Sequence, residues 1–384
     1  MCEDEKSGRS LFVLANSRHS SRVKELCLGL GQQLSTSSSS SKLAPVVEEL
    51  LSDLRCFQNL RNVRIEYPRL AFLDWVEGGG ANSECGAKER LEWLEKFIEQ
   101  SDRGSCPNNH IEELTLKWVM PRELTAYDSA GFRRLLGSLK RFRFSLYASH
   151  KPDTDQTLSI IPGFRDFASR IDEIFLDHLE NVTHLSFGAK NSAPLLFTGL
   201  RAFPLILTPD QMPLLRKLDL KSIFLCGGVL AFIVGHIRTL EFLSLRSAYC
   251  RVHRTGTTVD FEWHHFFSGI VDADPQYLRA MDLGWSRESS YSNETDEETD
   301  EEEDEVQELE RIRKEGPFRE IFRYAIIYEN ENIWEGRSDD EVDVNRRRFL
   351  RGDDQEAFER VQRIIDGNAV RYKNTGKDTT SRWP

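Results

Sequence analysis

One short hydrophobic block recurs eight times and constrains the fold of this chain more than any other feature of its sequence. Each copy reads apolar-x-x-apolar-x-apolar, so its last two apolar residues are two positions apart. Alternate residues of a β-strand point to the same face, and the spacing therefore predicts a strand with one apolar side. The copies are Val23/Leu26/Leu28, Leu60/Val63/Ile65, Ile111/Leu114/Leu116, Leu139/Phe142/Phe144, Val182/Leu185/Phe187, Leu215/Leu218/Leu220, Leu240/Leu243/Leu245 and Leu278/Met281/Leu283.

Segments with helical periodicity lie between the blocks. Apolar residues three and four positions apart predict helices over residues 43–57, 88–98, 132–139, 164–179, 229–237 and 263–271. A strand–loop–helix–loop unit cannot bury both of its apolar faces alone, so neighbouring units must stack. The sequence therefore predicts an α/β fold, a leucine-rich-repeat-like solenoid or horseshoe with parallel strands on its inner face and helices outside.

Most block-to-block spacings exceed the roughly 20 to 29 residues of ordinary leucine-rich repeats. Polar or glycine-rich insertions, such as residues 35–41 and 78–80, account for the excess. An ordinary α/β domain whose buried strands share one pattern remains the alternative. The predicted organisation is an N-terminal remnant or cap (1–22), the solenoid (23–285), an acidic disordered segment (286–316) and a C-terminal helical cap and tail (317–384). In this cap a helix is predicted to begin at Asp353 and to end at Gly367.

The sixth and seventh blocks carry the most specific pattern. Residues 212–220 read Met-Pro-Leu-Leu-Arg-Lys-Leu-Asp-Leu, and residues 236–245 read His-Ile-Arg-Thr-Leu-Glu-Phe-Leu-Ser-Leu, with an apolar helical segment between them. This pattern, and roughly residues 20–285 as a whole, resembles the repeat region of fungal F-box proteins. The resemblance implies a protein that holds a substrate on its repeats, while an F-box docks on the Skp1 adaptor of a cullin ubiquitin ligase.

The N-terminal residues depart from that family. An F-box is a three-helix module, and the residues before Val23 are too few to form one, although residues 10–15 resemble its end. Either the chain is truncated, or it is a relative that keeps the recognition surface and has lost the ligase connection. We therefore expect Skp1 and cullin as partners only if an F-box lies upstream.

The strand face opposite the core is predicted to bind the partner. Its candidate partner-binding residues are Arg64, Lys117, Arg141, Arg143, His184, Lys217, Lys221, Phe242 and Arg246. Cations on this face outnumber the acidic residues Glu66, Glu113, Asp219 and Asp282, so we expect a basic groove that suits an acidic peptide of a protein partner. The alternative is that these are solvated charges in mixed pairs across the strands.

The net charge of −12 arises from one segment. Residues 294–310 hold 12 acidic residues and no basic one, which leaves 51 acidic against 51 basic residues elsewhere. Like charges at this density predict disorder. Thr295 and Thr299 each stand three positions before an acidic residue, a pattern that suits an acidophilic kinase. The segment is interpreted either as a competitor for the strand face, as a soluble linker, or as the binding element of an acidic scaffold or chaperone for basic partners such as histones.

Other classes of function find no support in the sequence. The balanced charge outside residues 294–310 argues against nucleic-acid binding, and the longest uncharged apolar stretch is shorter than the roughly 20 residues that span a bilayer. Phosphate-loop, nucleophile-elbow and zinc-protease motifs are lacking, and the adjacent His264 and His265 are predicted to point to different helix faces. We predict a monomeric protein-binding module in the cytoplasm or nucleus, not an enzyme, without metal or cofactor. Its seven dispersed cysteines indicate reduced thiols.

Deletion of residues 294–310 tests whether the acidic segment competes for the strand face. If it does, the deletion increases the affinity of the chain for an acidic peptide at low salt, because a tethered like-charged competitor is removed. Fluorescence anisotropy of a labelled peptide measures this affinity. An unchanged dissociation constant would show that the segment does not compete for the strand face.

Overall fold

The computed structural model describes residues 5–29, 54–66, 97–98, 111–119, 124–147, 167, 169–190, 197–198, 201–202, 207–253, 261–284, 322–327 and 339–374. An α/β fold with a mostly parallel eight-stranded sheet is present. The chain divides into two compact units, the first comprising Met1–Thr198 with Asp210–Leu215 and the second comprising Gly199–Pro209 with Arg216–Pro384. The segment 294–310 with Thr295 and Thr299, and most of the predicted helices over 43–57 and 88–98, lie outside the described residues.

All eight predicted blocks form strands of the large sheet. The large sheet consists of β1 to β5, β8, β10 and β12. In chain order, the strands that the structure describes are β1 (Glu25–Gly29), β2 (Asn62–Glu66), β3 (Glu113–Val119), β4 (Arg141–Tyr147), β5 (His184–Lys190), β6 (Phe197–Thr198), β7 (Arg201–Ala202), β8 (Lys217–Lys221), β9 (Phe224–Leu225), β10 (Phe242–Ser244), β11 (Tyr249–His253), β12 (Ala280–Asp282) and β13 (Tyr324–Ile327). In the first unit β1 to β5 pair in parallel in chain order. In the second unit β8, β10 and β12 pair in the same way. Equivalent apolar residues of the blocks are aligned throughout, which confirms the predicted strands.

The strands begin with the same backbone hydrogen bonds in both units. The carbonyl of Lys24 accepts bonds from the N–H groups of Arg61 and Asn62, at 2.8 and 3.0 Å. The carbonyls that accept the equivalent pairs of bonds from the following strand belong to Arg61, Glu112, Lys140 and Arg216. The repeats therefore share a backbone geometry as well as a sequence pattern.

Two further features recur at equivalent positions. Asn59 and Asn181 each stand before a strand and donate from Nδ2 to a carbonyl of the preceding repeat, at 2.6 and 2.7 Å. Trp118, Ser222 and Ser247 each lie two residues after the last apolar residue of their block, with φ of 62°, 52° and 52°. Residues other than glycine seldom adopt this left-handed conformation. Its recurrence shows that the backbone turns in the same way after these three strands.

The helices occupy the segments between strands. They are α1 (Glu5–Ala15), α2 (Ala130–Ser138), α3 (Ile171–Ile174), α4 (Gly227–Gly235), α5 (Trp263–Asp272), α6 (Asp339–Arg351) and α7 (Asp353–Asn374), with short 3-10 helices at Ser20–Arg22, Leu54–Cys56, Thr125–Asp128 and Leu176–His178. The predicted helices at 132–139, 229–237 and 263–271 are confirmed within two residues at each end. Helix α2 begins at Ala130 because the Ser129 hydroxyl accepts the N–H of Phe132 at 3.1 Å.

Two helix predictions are wrong in extent. The helix predicted over 164–179 is interrupted at Phe175, where α3 has ended and a 3-10 helix begins at Leu176. The C-terminal helix does not end at Gly367 but continues to Asn374. A Cβ at Gly367 would meet no atom, and no left-handed turn is present there, so the glycine does not terminate the helix.

An aromatic cluster fills the core of the first unit. The Phe175 ring is fully buried, and its centroid lies 4.7 Å from that of Phe144 and 5.2 Å from that of Tyr127. Phe132 and Phe142 contact the same ring. Phe175 therefore joins the strands to the segments that cover them.

We expect Phe175→Ala to lower the free energy of unfolding by about 3–5 kcal/mol, the cost of truncating a buried aromatic side chain. Phe12→Ala in α1 is the matched control, because this ring is 36% exposed and its loss should cost less than about 1 kcal/mol. Urea denaturation measures both values. Equal costs for the two variants would contradict the central position assigned to Phe175.

Candidate protein-binding surface

The nine predicted partner-binding residues lie on strands or directly after them, on both units. Arg64, Lys117, Arg141, Arg143 and His184 belong to β2 through β5 of the first unit, and Lys217, Lys221, Phe242 and Arg246 belong to the β8 and β10 segments of the second. The residues that alternate with them are buried, and they themselves are half-buried or exposed. In each unit the strands therefore present one apolar and one polar face.

The charges on the first unit's face are paired. Glu113 Oε2 lies 2.8 Å from Arg141 Nε, and its Oε1 lies 3.2 Å from Arg143 Nε. Glu66 likewise contacts Arg64 and lies 3.3 Å from Lys117 Nζ. Each carboxylate thus bridges two cations of neighbouring strand positions. This arrangement is the alternative of mixed charge pairs across the strands, and each cluster retains a single net positive charge.

His184 aligns with Arg141 at the start of β5. Its Nδ1 lies 2.7 Å from Thr183 Oγ1. The ring is half-buried on the polar face, next to the Glu113 cluster, where it adds a polar side chain with hydrogen-bonding capacity at neutral pH.

The second unit's face has a different arrangement. Arg246 Nη2 donates to Asp219 Oδ2 at 2.6 Å, and Arg246 Nε lies 4.0 Å from Asp282 Oδ2. A Cβ at Gly284, where φ is +64°, would overlap the Arg246 side chain. The glycine thus leaves the space that the arginine occupies between the two aspartates.

Lys221 is half-buried beside this arginine. Burial, followed by the positive charge of Arg246, lowers the pKa of Lys221, and the Asp219 carboxylate opposes this shift. Within the described part of the chain, Lys221 makes no hydrogen bond and no ion pair. Its ammonium group is therefore less stabilised by its surroundings than the cations of the first unit's face.

A charged row at the strand entrances was not predicted. In the first unit Glu112 lies between Arg61 (2.6 Å) and Lys140 (3.1 Å), and the Lys140 hydrogen bond is the main cause that lowers the pKa of Glu112. In the second unit Glu241 lies between Arg216 (3.4 Å) and Arg279 in the same order. The signal was present in the sequence, because the residue two positions before the second apolar residue is charged in every block except the fifth, where it is Thr183.

A buried polar cluster in the second unit joins α5, β13 and the C-terminal helices. Tyr324 donates from its hydroxyl to Asp354 Oδ2 at 2.8 Å, and the His264 N–H at the start of α5 donates to Asp354 Oδ1 at 2.8 Å. Glu262 lies 2.7 Å from Arg348 Nη1 and 2.8 Å from His264 Nδ1. The Glu262 Oε2 and His264 Nδ1 atoms are close but form no hydrogen bond. The bonds to Asp354 therefore join α7 to α5 and β13. His265 is exposed, whereas His264 faces the acids, as predicted for adjacent residues of a helix.

Asp354 belongs to α7 but accepts a backbone N–H group at the start of α5, as a capping side chain does. A carboxylate there benefits from the unpaired N–H groups of the helix start. Burial nevertheless raises the pKa of Asp354, and it also raises the pKa of the Tyr324 hydroxyl. The Tyr324 and His264 bonds act against the shift of Asp354 but do not cancel it.

The first unit contains a cavity of about 250 Å³, which is lined by Leu124, Thr125, Tyr127, Asp128, Arg170 and Ile174. No three His, Cys, Asp or Glu side chains converge as a metal site among the residues that the structure describes. Within the same ranges, no helix has both the length and the apolar character that crossing a membrane requires.

Comparisons with family models, with curated proteins and with solved structures give no match to this chain. The resemblance to F-box proteins therefore depends on the repeated block and the residues quoted with it.

The pKa of Asp354 predicts a pH dependence of stability. A carboxyl whose folded pKa lies above its ordinary value near 3.8 binds a proton more tightly in the folded state. The free energy of unfolding should therefore fall as the pH rises from about 4 through the folded pKa of Asp354. Urea denaturation as a function of pH should show that Asp354→Asn removes this slope, because the amide does not ionise.

Asp366→Asn is the control, because Asp366 lies exposed on the same helix. It should leave the pH slope as in the parent chain. An Asp354→Asn variant that keeps the full slope would show that another group is responsible.

Proposed function

We propose that this chain is a protein-binding module whose strand face receives another protein, in the manner of the substrate-recognition region of an F-box ubiquitin-ligase receptor. The proposal includes a leucine-rich-repeat-like solenoid as the form of the fold. Its support is the recurrence of the shared carbonyl bonds, of the Asn59 and Asn181 contacts and of the left-handed residues at equivalent positions.

One observation carries the functional proposal: the parallel strands of each unit have a polar face. Parallel sheets are usually covered on both faces, and their strands then read as continuous apolar runs. Here burial alternates along β2 and β8, and the uncovered positions hold charged, polar and aromatic side chains. A partly exposed face with several arginines and an aromatic residue has the composition that protein interfaces favour.

The first unit's paired charges suit specificity more than affinity. Because Glu113 and Glu66 hold their cations in fixed positions, the face presents an ordered pattern of charge. Complementary charges on a partner would align it and speed its association, whereas like charges would be rejected. The expected partner is a protein with acidic side chains at the interface.

Substitutions on the strand face test the proposal. We expect Arg143→Glu, in the first unit, and Phe242→Ala, in the second, each to lower the recovery of a bound partner at least about tenfold, since one reverses a charge and the other removes an aromatic contact. Quantitative mass spectrometry after capture with the full-length chain measures this recovery. Arg363→Glu on the exposed side of α7 is the matched control and should bind as the parent does.

The identity of the captured proteins then separates the two candidate functions. Skp1 or cullin together with a face-dependent partner supports the F-box-type function. Histones that are lost on deletion of residues 294–310, and not on substitution of the strand face, support the acidic scaffold, which the 12 acidic residues of that segment favour. If the recovery of every captured protein is unchanged by the strand-face substitutions, the proposed function is wrong.

A further inference from the structure

Two exposed arginines of β4 share one carboxylate on the polar face of the first unit. Glu113 Oε2 lies 2.8 Å from Arg141 Nε, and Glu113 Oε1 lies 3.2 Å from Arg143 Nε. The Glu113 side chain is 14% exposed, whereas the side chains of the two arginines are 41% and 51% exposed. The carboxylate therefore lies beneath the guanidinium groups and leaves their outer surfaces accessible.

The Nη groups of both arginines remain available to a ligand. Nε is the guanidinium atom nearest to the carboxylate in each pair, so the pairing uses one side of each guanidinium. Within the ranges that the structure describes, neither Arg141 nor Arg143 forms any other ion pair or hydrogen bond. Thr115 and Ser186 flank Arg143 on the neighbouring strands, and their short side chains leave the space above the guanidinium open. Two Nη groups can hold a carboxylate through parallel charge-assisted bonds.

The charge of this face selects an anion. Glu66 contacts Arg64 and Lys117 as Glu113 contacts its two arginines, so the two clusters contain four cations and two carboxylates and carry a net charge of +2. The cations are 34–51% exposed and the carboxylates 14% and 21% exposed, so a ligand meets the positive groups first. On the described strands the remaining acid of this face is Glu25 of β1. It lies three strands from β4, roughly 14 Å away, where salt screens its charge.

The two arginines have the spacing of alternate residues in an extended chain. They are two positions apart on β4 and therefore point to the same face. A strand rises roughly 3.3 Å per residue, which places their Cα atoms about 6.6 Å apart. In an extended ligand, the side chains of residues i and i+2 share one face and have the same separation. Adjacent acidic residues would instead point to opposite sides of the ligand.

We propose that Arg141 and Arg143 bind the two carboxylates of an acid-x-acid motif in an extended segment of the partner protein, and that Glu113 is the positioning residue that fixes the spacing of the two guanidinium groups. This inference rests on the proposed protein-binding function and specifies its ligand in the first unit. The segment lies along β4, with each carboxylate on the Nη groups of one arginine. Two carboxylates also balance the net positive charge of the two clusters.

Two synthetic peptides of equal composition test the spacing. Thr-Glu-Thr-Glu-Thr presents its glutamates at alternate positions, and Thr-Thr-Glu-Glu-Thr presents them at adjacent positions with the same net charge. We expect the full-length chain to bind the alternating peptide about fivefold more tightly at low salt, as one exposed charge-assisted contact implies. Fluorescence anisotropy of labelled peptides measures both dissociation constants. Equal dissociation constants would overturn the proposal, because they would show general charge attraction.

Substitution of Glu113 tests its positioning role. Glu113→Gln should abolish the fivefold preference, because the released arginines can follow either spacing, whereas the loss of a negative charge should not weaken the binding of either peptide. Glu25→Gln is the matched control, since it removes an exposed acid from the same face without touching these arginines, and it should keep the preference. Circular dichroism establishes that the variants are folded. A Glu113→Gln chain that retains the full preference would refute the positioning role.

Partner capture separates this inference from the proposed function. If the two peptides bind equally while Arg143→Glu still lowers the recovery of a captured protein, the acid-x-acid motif is refuted and the protein-binding module remains. If the alternating peptide is preferred while no captured protein depends on the strand face, the proposed function is refuted, and with it the assignment of the motif to a partner protein. A preference that Arg143→Gln abolishes, together with a captured protein that the alternating peptide displaces, supports both.

Discussion

Parallel strand pairing that aligns the equivalent residues of the blocks is the constraint on which the other features of this structure depend. In the first unit Leu26, Val63, Leu114, Phe142 and Leu185 align across five strands, and their alternate neighbours form the polar face. A shift of one residue in any strand would exchange its buried and exposed side chains. The paired hydrogen bonds to carbonyls such as those of Lys24 and Glu112 fix this register where each strand begins.

The strands could be predicted from sequence because burial on one face leaves a period of two in every block. The same reasoning failed for β9, β11 and β13, which form a separate three-stranded parallel sheet in the second unit. Strand β9 has only two residues, both buried, so no alternation reveals it. Strand β13 pairs with β11 although it lies far along the chain, and no local sequence pattern indicates a pairing between such distant segments.

The chemistry of the polar face was predictable in composition but not in arrangement. Arg141 and Arg143 were identified as candidates from their positions, yet their shared partner Glu113 depends on side-chain geometry that a sequence does not specify. The lowered pKa of Lys221 likewise follows from burial and from the nearness of Arg246, which stands 25 positions later in the chain. Asp354 caps a helix other than its own, and only the folded arrangement of α5 and α7 shows this.

The close approach of Arg246 to Gly284 links two positions that are distant in sequence. Any side chain at position 284 would displace the arginine stem, and a left-handed φ adds strain for most other residues. Substitutions at the two positions should therefore be coupled in their effects on stability. Across homologous chains, a residue other than glycine at position 284 would be tolerated mainly together with a smaller residue at position 246. Covariation of this pair in an alignment would therefore reflect the packing of the two residues on the polar face, and not a ligand that contacts both.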